Sequence, residues 1–191
     1  MNICILSGSP LKNSSTHRFC KRLKQILEQS GHDIHIVNFE HYDIPFLNQG
    51  MVKPDELTHF QHELIEHVNT SELVFVCSPE YNWMPSAELV NMFHQLGSKT
   101  FKSFFDNKVF AVAGISSGKG GKMPCIQMTY VLNKLINFLD CNSLVSSRNF
   151  ESHFTQKELD EDGNLIGNDV YDKGVNGFLE FALRVAERWN K

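Results

Sequence analysis

The chain has 191 residues, a length that, at roughly 150 residues per domain, suits one domain and allows two small ones. Hydrophobic residues make up 41% and charged residues 21%, a globular balance that excludes a disordered chain. With 18 Lys+Arg against 22 Asp+Glu the net charge is −4, which argues against a nucleic-acid surface built on bulk positive charge.

The five cysteines (Cys4, Cys20, Cys77, Cys125 and Cys141) include no CxxC pair, so they read as small buried hydrophobes rather than zinc or iron–sulfur ligands. The opening run Ile3–Leu6 has neither the basic flank nor the length of a signal peptide. The longest apolar run, Val109–Ile115, is too short to span a bilayer. The expected location is the cytoplasm.

In chain order, Ile3–Leu6 reads as a buried strand entering the loop Ser7-Gly8-Ser9-Pro10. Residues 16–30 follow as a helix with Phe19, Leu23, Ile26 and Leu27 on one face, closed by Gly31. Ile34, Ile36 and Val37 mark a more polar strand that suits a sheet edge. The spacing of Leu57, Phe60, Leu64 and Val68 predicts a helix over 54–69, with Pro54 at its start. Leu73–Cys77 is a third strand, followed by a loop and a helix that aligns Ala87, Val90 and His94. Val109–Ile115 is a fourth. Met128, Val131, Leu132, Leu135, Ile136 and Leu139 form the core face of the next helix. Leu144 and Val145 mark a weak fifth strand, residues 151–168 are polar with a turn at Asp162-Gly163, and the last helix carries Val175, Phe178, Leu179, Ala182, Ala186 and Trp189 at helical spacing. Alternating strands and helices, without repeat or linker, predict one parallel sheet covered by helices on both faces. Ligands in such folds bind at the carboxyl ends of the strands, which directs attention to three loops.

The first loop, Ser7 to Thr16, places hydroxyls, an amide, a glycine and Lys12 directly before a helix N-terminus. That setting suits an anion, and a phosphate monoester above all. A helix cap would need only one of these residues. No GxxxxGK[ST] or GxGxxG pattern is present. The second loop, Ser78 to Pro85, offers Tyr81 and Trp83 to a flat ring or, alternatively, to the core or an interface. The third, Ser116 to Met123, is glycine-rich and suits close backbone approach to a ligand, a moving flap or a plain solvated loop. Together they describe a site for a mononucleotide with a large flat ring. His59, His62, Glu63, Glu66 and His67 lie off the apolar stripe and read as a solvated face rather than a metal site, as do Lys21, Arg22 and Lys24 on the first helix.

At these loops the sequence resembles the NADPH-dependent FMN reductase family. Gly8-Ser9-Pro10-Leu11-Lys12-Asn13-Ser14 follows the family pattern Gly-Ser-x-Arg-x-x-Ser except at Leu11, and Pro79-Glu80-Tyr81-Asn82 matches its Pro-Glu-Tyr-Asn motif in full. Leu89 and Asn91, Asp43-Ile44-Pro45-Phe46 and the segment from Phe154 to Leu165 also look like family segments. The resemblance implies an α/β, flavodoxin-like three-layer sandwich over residues 1–191, its five-stranded parallel sheet in the order 2-1-3-4-5. It implies FMN as cofactor and NADPH or NADH as donor. Ser9, Lys12, Asn13, Ser14, Ser15 and Thr16 would hold the phosphate, Pro79, Glu80, Tyr81, Asn82 and Trp83 would line the isoalloxazine, and Ser116, Ser117 and Gly118 would approach it from the third loop. Hydride would pass through the flavin to a small acceptor (a quinone, azo dye, nitroaromatic, chromate or free flavin), with no protein acid or base assigned. A homodimer or homotetramer is implied, without nucleic acid, membrane or metal. Two alternatives share the fold: a flavodoxin-type electron carrier, and a flavin-free binding protein.

Overall fold

The first inner strand of the sheet, β1 (Asn2–Ser7), is buried from Ile3 onward in the computed structural model, which describes residues 1–190. It pairs in parallel with β2 (Asp33–Asn38) on one side and β3 (Leu73–Pro79) on the other. β4 (Val109–Ile115) extends the sheet beyond β3, and β5 (Leu144–Val145) joins β4, giving the predicted order β2-β1-β3-β4-β5 with β2 at the edge.

The strands are near-continuous in apolar residues because both faces are covered. Successive side chains point to opposite sides, so each strand feeds two cores. Cys4, Leu6, Val74, Val76, Phe110 and Val112 pack under α2 (His59–Thr70), α3 (Ala87–Leu96) and α4 (Lys122–Phe138). Ile3, Ile5, Phe75, Cys77, Ala111 and Ala113 pack under α1 (Ser15–Gln29) and α6 (Asp169–Trp189). All five cysteines are free thiols. Burial pushes Cys125 up to about 12 and raises Cys4 and Cys77 as well, so these thiols stay protonated and inert.

Four features differ from the sequence expectation. First, α2 starts at His59 rather than Pro54. Thr58 caps it in a reciprocal capping box with Gln61, while residues 53–56 close a separate turn. Second, the fifth strand position is filled in two pieces. β5 pairs only with Val109 and Phe110, and β6 (Phe150–Ser152) pairs with Ala113–Ile115. A short helix, α5 (Thr155–Glu158), follows inside the segment read as an irregular polar stretch. Third, on α3 Ala87 and His94 are exposed and Val90 is only half-buried against the core, while Leu89, Met92, Phe93 and Leu96 carry the burial. Fourth, Lys21, Arg22 and Lys24 are not a solvated face. Arg22 pairs with Asp172 at 2.6 Å, Lys21 donates to the Glu161 carbonyl at 2.9 Å, and Lys24 reaches the Ile34 carbonyl. These cations tie the 158–172 segment and β2 onto α1.

Candidate flavin site

The three loops meet at the carboxyl ends of β1, β3 and β4, around a cleft of about 270 Å³. The first loop leaves β1 through Gly8, whose N–H bonds the Cys77 carbonyl at 3.0 Å. Any side chain there would collide with Leu89 and that same carbonyl. Ser9 is buried, and its hydroxyl meets the Tyr81 hydroxyl at 2.8 Å. Asn13 adopts a left-handed φ of 50° and turns the chain into α1. Ser14 is the N-cap, accepting the His17 N–H at 3.1 Å. The N–H groups of Ser15 and Thr16 begin the helix without an intrahelical acceptor, and no acid occupies its first turn. Lys12 is exposed and has no ion-pair or hydrogen-bond partner among the described residues. This donor set, at the positive end of a 15-residue helix, fits a phosphate dianion.

The second loop is a tight turn closed by two backbone bonds between Tyr81 and Met84, at 2.9 and 3.0 Å. Both central residues are left-handed, Asn82 at φ 51° and Trp83 at φ 67°. Neither of their N–H groups has an acceptor among the described residues, so both are free for the carbonyl edge of a ring. Tyr81 and Trp83 are 39% and 72% exposed, which removes the core reading for both. Partial burial pushes the Tyr81 phenol up, against the Ser9 hydrogen bond that pulls it down. Tyr81 is therefore a neutral hydrogen-bonding group at physiological pH.

The third loop is not a free flap. The Ser116 N–H bonds the Ser152 carbonyl at 2.9 Å, the Gly118 carbonyl accepts from Phe154 at 2.8 Å, and the Gly120 N–H reaches His153 Nδ1 at 3.2 Å. The Glu80 carboxylate accepts the Gly121 N–H. Gly121 has φ 105° and packs directly on Gly114 of β4, so close that a Cβ on either residue would overlap the other's carbonyl. Glu80 thus acts as a strut between the second and third loops.

Of the candidate residues, Ser9, Lys12, Asn13, Ser14, Ser15, Thr16, Pro79, Glu80, Tyr81 and Ser117 line this cleft. Asn82, Ser116 and Gly118 sit in the flanking turns, and Trp83 lines an adjoining cleft instead. Leu11, Ile115 and Gln156 complete the lining and were not among the candidates. Gln156, on α5, reaches the cleft only because β6 pairs with β4, a long-range contact with no local sequence signal.

A parallel 2-1-3-4-5 sheet with a hydroxyl-rich first loop and an aromatic second loop at its carboxyl edge has the architecture of the flavodoxin-like class of FMN proteins. The family model for "NADPH-dependent FMN reductase" matches residues 1–152, and the chain belongs to that family. It is a flavin-dependent oxidoreductase that uses FMN and NAD(P)H and acts on small-molecule acceptors. It is 26% identical over 189 residues to "Probable NADPH:quinone oxidoreductase 2" of Oryza sativa subsp. japonica, covering 97% of this chain and 90% of that protein. Among solved structures it is similar to the NAD(P)H:(acceptor) oxidoreductase FerB of Paracoccus denitrificans, with TM-score 0.74, 19% identity and 97% of each chain covered. It is also similar to an archaeal flavodoxin, with TM-score 0.58, 11% identity and both chains covered in full. At those identities the structural likeness concerns the fold. No helix among the described residues is long and apolar enough to cross a membrane.

Proposed function

We propose that this protein is a cytoplasmic NAD(P)H:quinone-type reductase, active as a homodimer, whose FMN lies across the three loops. The observation that carries this reading is a set of unpaired donors at the carboxyl end of the sheet, in the cleft and in the Tyr81–Met84 turn that flanks it. The N–H groups of Ser15 and Thr16 and the Lys12 ammonium would hold the phosphate, and the free N–H groups of Asn82 and Trp83 would be donors to the ring's pyrimidine edge. FMN, when bound, supplies a carrier that takes hydride from the nicotinamide and delivers two electrons to the acceptor. The chain's own part is positioning. Ser14 caps the start of α1, Ser9 holds the Tyr81 hydroxyl at the cleft, and Glu80 ties the third loop to the second through the Gly121 N–H. Lys12 offers a point charge next to Leu11, where the family pattern has an arginine fork, so flavin retention depends on the backbone donors more than on charge.

A quinone is the preferred acceptor because the rice relative is named for one. Azo dyes, nitroaromatics, chromate and free flavin are further acceptors of the same chemistry. The dimer reading rests on an apolar outer face. Val90, Phe93, Met128, Val131 and Leu135 line one trough of about 410 Å³, and an adjoining one of about 650 Å³ holds Phe46, Leu47 and Met84. The free, buried thiols suit a reducing compartment.

The test is the visible spectrum of the purified protein loaded with FMN. Flavin bands that bleach on NADPH and return on adding a benzoquinone support the reductase. Bands that persist under NADPH point to the carrier. The absence of any flavin uptake defeats both readings.

A further inference from the structure

A second cleft, of about 400 Å³, borders the flavin cleft and shares Glu80 with it. The flavin contacts proposed above use little of it. Trp83 and Met123 line it, together with Lys119 and Lys122. Trp83 is 72% exposed and stands at φ 67°, directly after Asn82 at φ 51°. The turn itself would be served by glycine or asparagine, so a bulky aromatic held outward in a left-handed conformation needs another reason.

The charges around this cleft are unevenly satisfied. Glu80 accepts the Gly121 N–H, and Glu151 faces His153 at 3.8 Å, while His153 Nδ1 takes the Gly120 N–H. The Lys119 and Lys122 ammonium groups have no hydrogen-bond or ion-pair partner among the described residues. The cleft therefore offers a flat aromatic face and two unpaired cations beside the proposed flavin cleft, with which it shares Glu80. A pyridine nucleotide that puts its nicotinamide over the flavin carries two phosphates and an adenine, or three phosphates in NADPH, on the rest of its length.

We propose that this cleft holds the phosphate-bearing, adenine end of the electron donor, with Lys119 and Lys122 meeting its phosphates and Trp83 stacking on its adenine. The proposal rests on the NAD(P)H-dependent reading and adds where the donor is gripped. It is a binding step, and no bond forms or breaks there. Two cations on phosphate act as charge-assisted contacts, and a stacked aromatic adds sequence-independent affinity for the base.

The Lys119→Ser/Lys122→Ser double variant tests it, assayed with NADPH and with NADH against one neutral quinone. The expected result is a KM for NADPH raised about tenfold or more, a much smaller change in kcat, and an unchanged FMN-to-protein ratio. A rise confined to NADPH assigns the lysines to the 2′-phosphate. An equal rise with NADH assigns them to the pyrophosphate. Unchanged KM values for both donors overturn the proposal.

A redox-inert measurement separates this proposal from the function itself. In a Trp189→Phe background, Trp83 fluorescence is followed while adenosine 2′,5′-bisphosphate or ADP is added. Saturable quenching that weakens at least fivefold in the lysine variant supports the proposal. No quenching, or an unchanged Kd, overturns it. A protein that binds these fragments but never oxidises NADPH would defeat the reductase reading and leave the cleft's ligand class standing.

Discussion

Glu80 shows how a motif residue can serve a site without facing its ligand. Within Pro79-Glu80-Tyr81-Asn82 it is the tyrosine whose side chain reaches across to the first loop, at 2.8 Å from Ser9, while the glutamate turns to the Gly121 N–H. Tyr81→Phe removes one hydrogen bond and leaves the ring. The expected outcome is an FMN Kd raised about fivefold, equivalent to ~1 kcal/mol, read by flavin fluorescence titration. An unchanged Kd would show that the Ser9 contact plays no part in shaping the cleft. At the opposite end of the sheet, Lys108 is a buried cation that the flavin chemistry does not use. It is 1% exposed, its ammonium donates to the Ser103 carbonyl at 3.1 Å, and burial pushes it down to about 8 from an ordinary 10.5. Below pH 8 the group is charged both folded and unfolded, and the fold carries the cost of the buried charge. Between pH 8 and 10.5 the folded chain releases the proton while the unfolded chain keeps it, so stability rises with pH across that window. Lys108→Met is expected to stabilise the protein by about 1–3 kcal/mol at pH 7, an advantage that shrinks toward pH 10.5. Urea unfolding at pH 7 and pH 10 checks both parts, and a less stable variant at pH 7 would mean that the Ser103 bond outweighs the burial.

At the scale of the element, α1 carries two duties at one end. Ser14 satisfies the His17 N–H, and the N–H groups of Ser15 and Thr16 remain without an intrahelical acceptor, as the proposed phosphate site requires. Ser14→Ala is expected to cost about 1 kcal/mol of stability in the flavin-free protein. FMN retention on gel filtration should fall as well, because the loop before the helix loses its anchor. A variant with lower thermal stability but full flavin content would make Ser14 a cap and nothing more. Elements were legible in the sequence where local pattern and burial agree. β1, β3 and β4 are apolar runs that both cores require, and the helix faces of α1, α4 and α6 follow their 3.6-residue period. The start of α2 was hidden because Pro54 and Thr58 are both good openers, and only the Gln61 reciprocal bond decides between them. β6 was hidden because three residues hold no alternation to read, and its place comes from pairing with β4. The candidate site was legible to the extent that its donors sit in short contiguous loops. Trp83 went to the neighbouring cleft because two successive left-handed residues turn it outward, which composition does not reveal.

For the whole molecule, the sheet divides its helices unequally in consequence. The α1/α6 side is sealed by the ion pairs to Asp172 and Glu161, whereas the α3/α4 side leaves Met84, Ile126, Tyr130 and Phe138 about half exposed or more. If that face joins two copies, a charge placed in its middle separates them. Val90→Asp together with Tyr130→Glu is expected to halve the sedimenting mass at micromolar concentration, checked by analytical ultracentrifugation. An unchanged mass would move the interface elsewhere or leave the chain monomeric.

The split fifth strand has a consequence for how the chain behaves in crowded solution. An uninterrupted outer strand presents a row of open backbone groups on which another molecule can build cross-strand pairing. Here residues 147–149 break that row, and Arg148 is drawn away to the Gly177 carbonyl of α6 at 2.9 Å. The far border, β2, is six residues long, and His35, the residue paired with Cys4, is engaged by Glu63 at 2.8 Å. Neither border offers a long, flat template, so the interruption that shapes the flavin-side loops also guards the folding chain against aggregation.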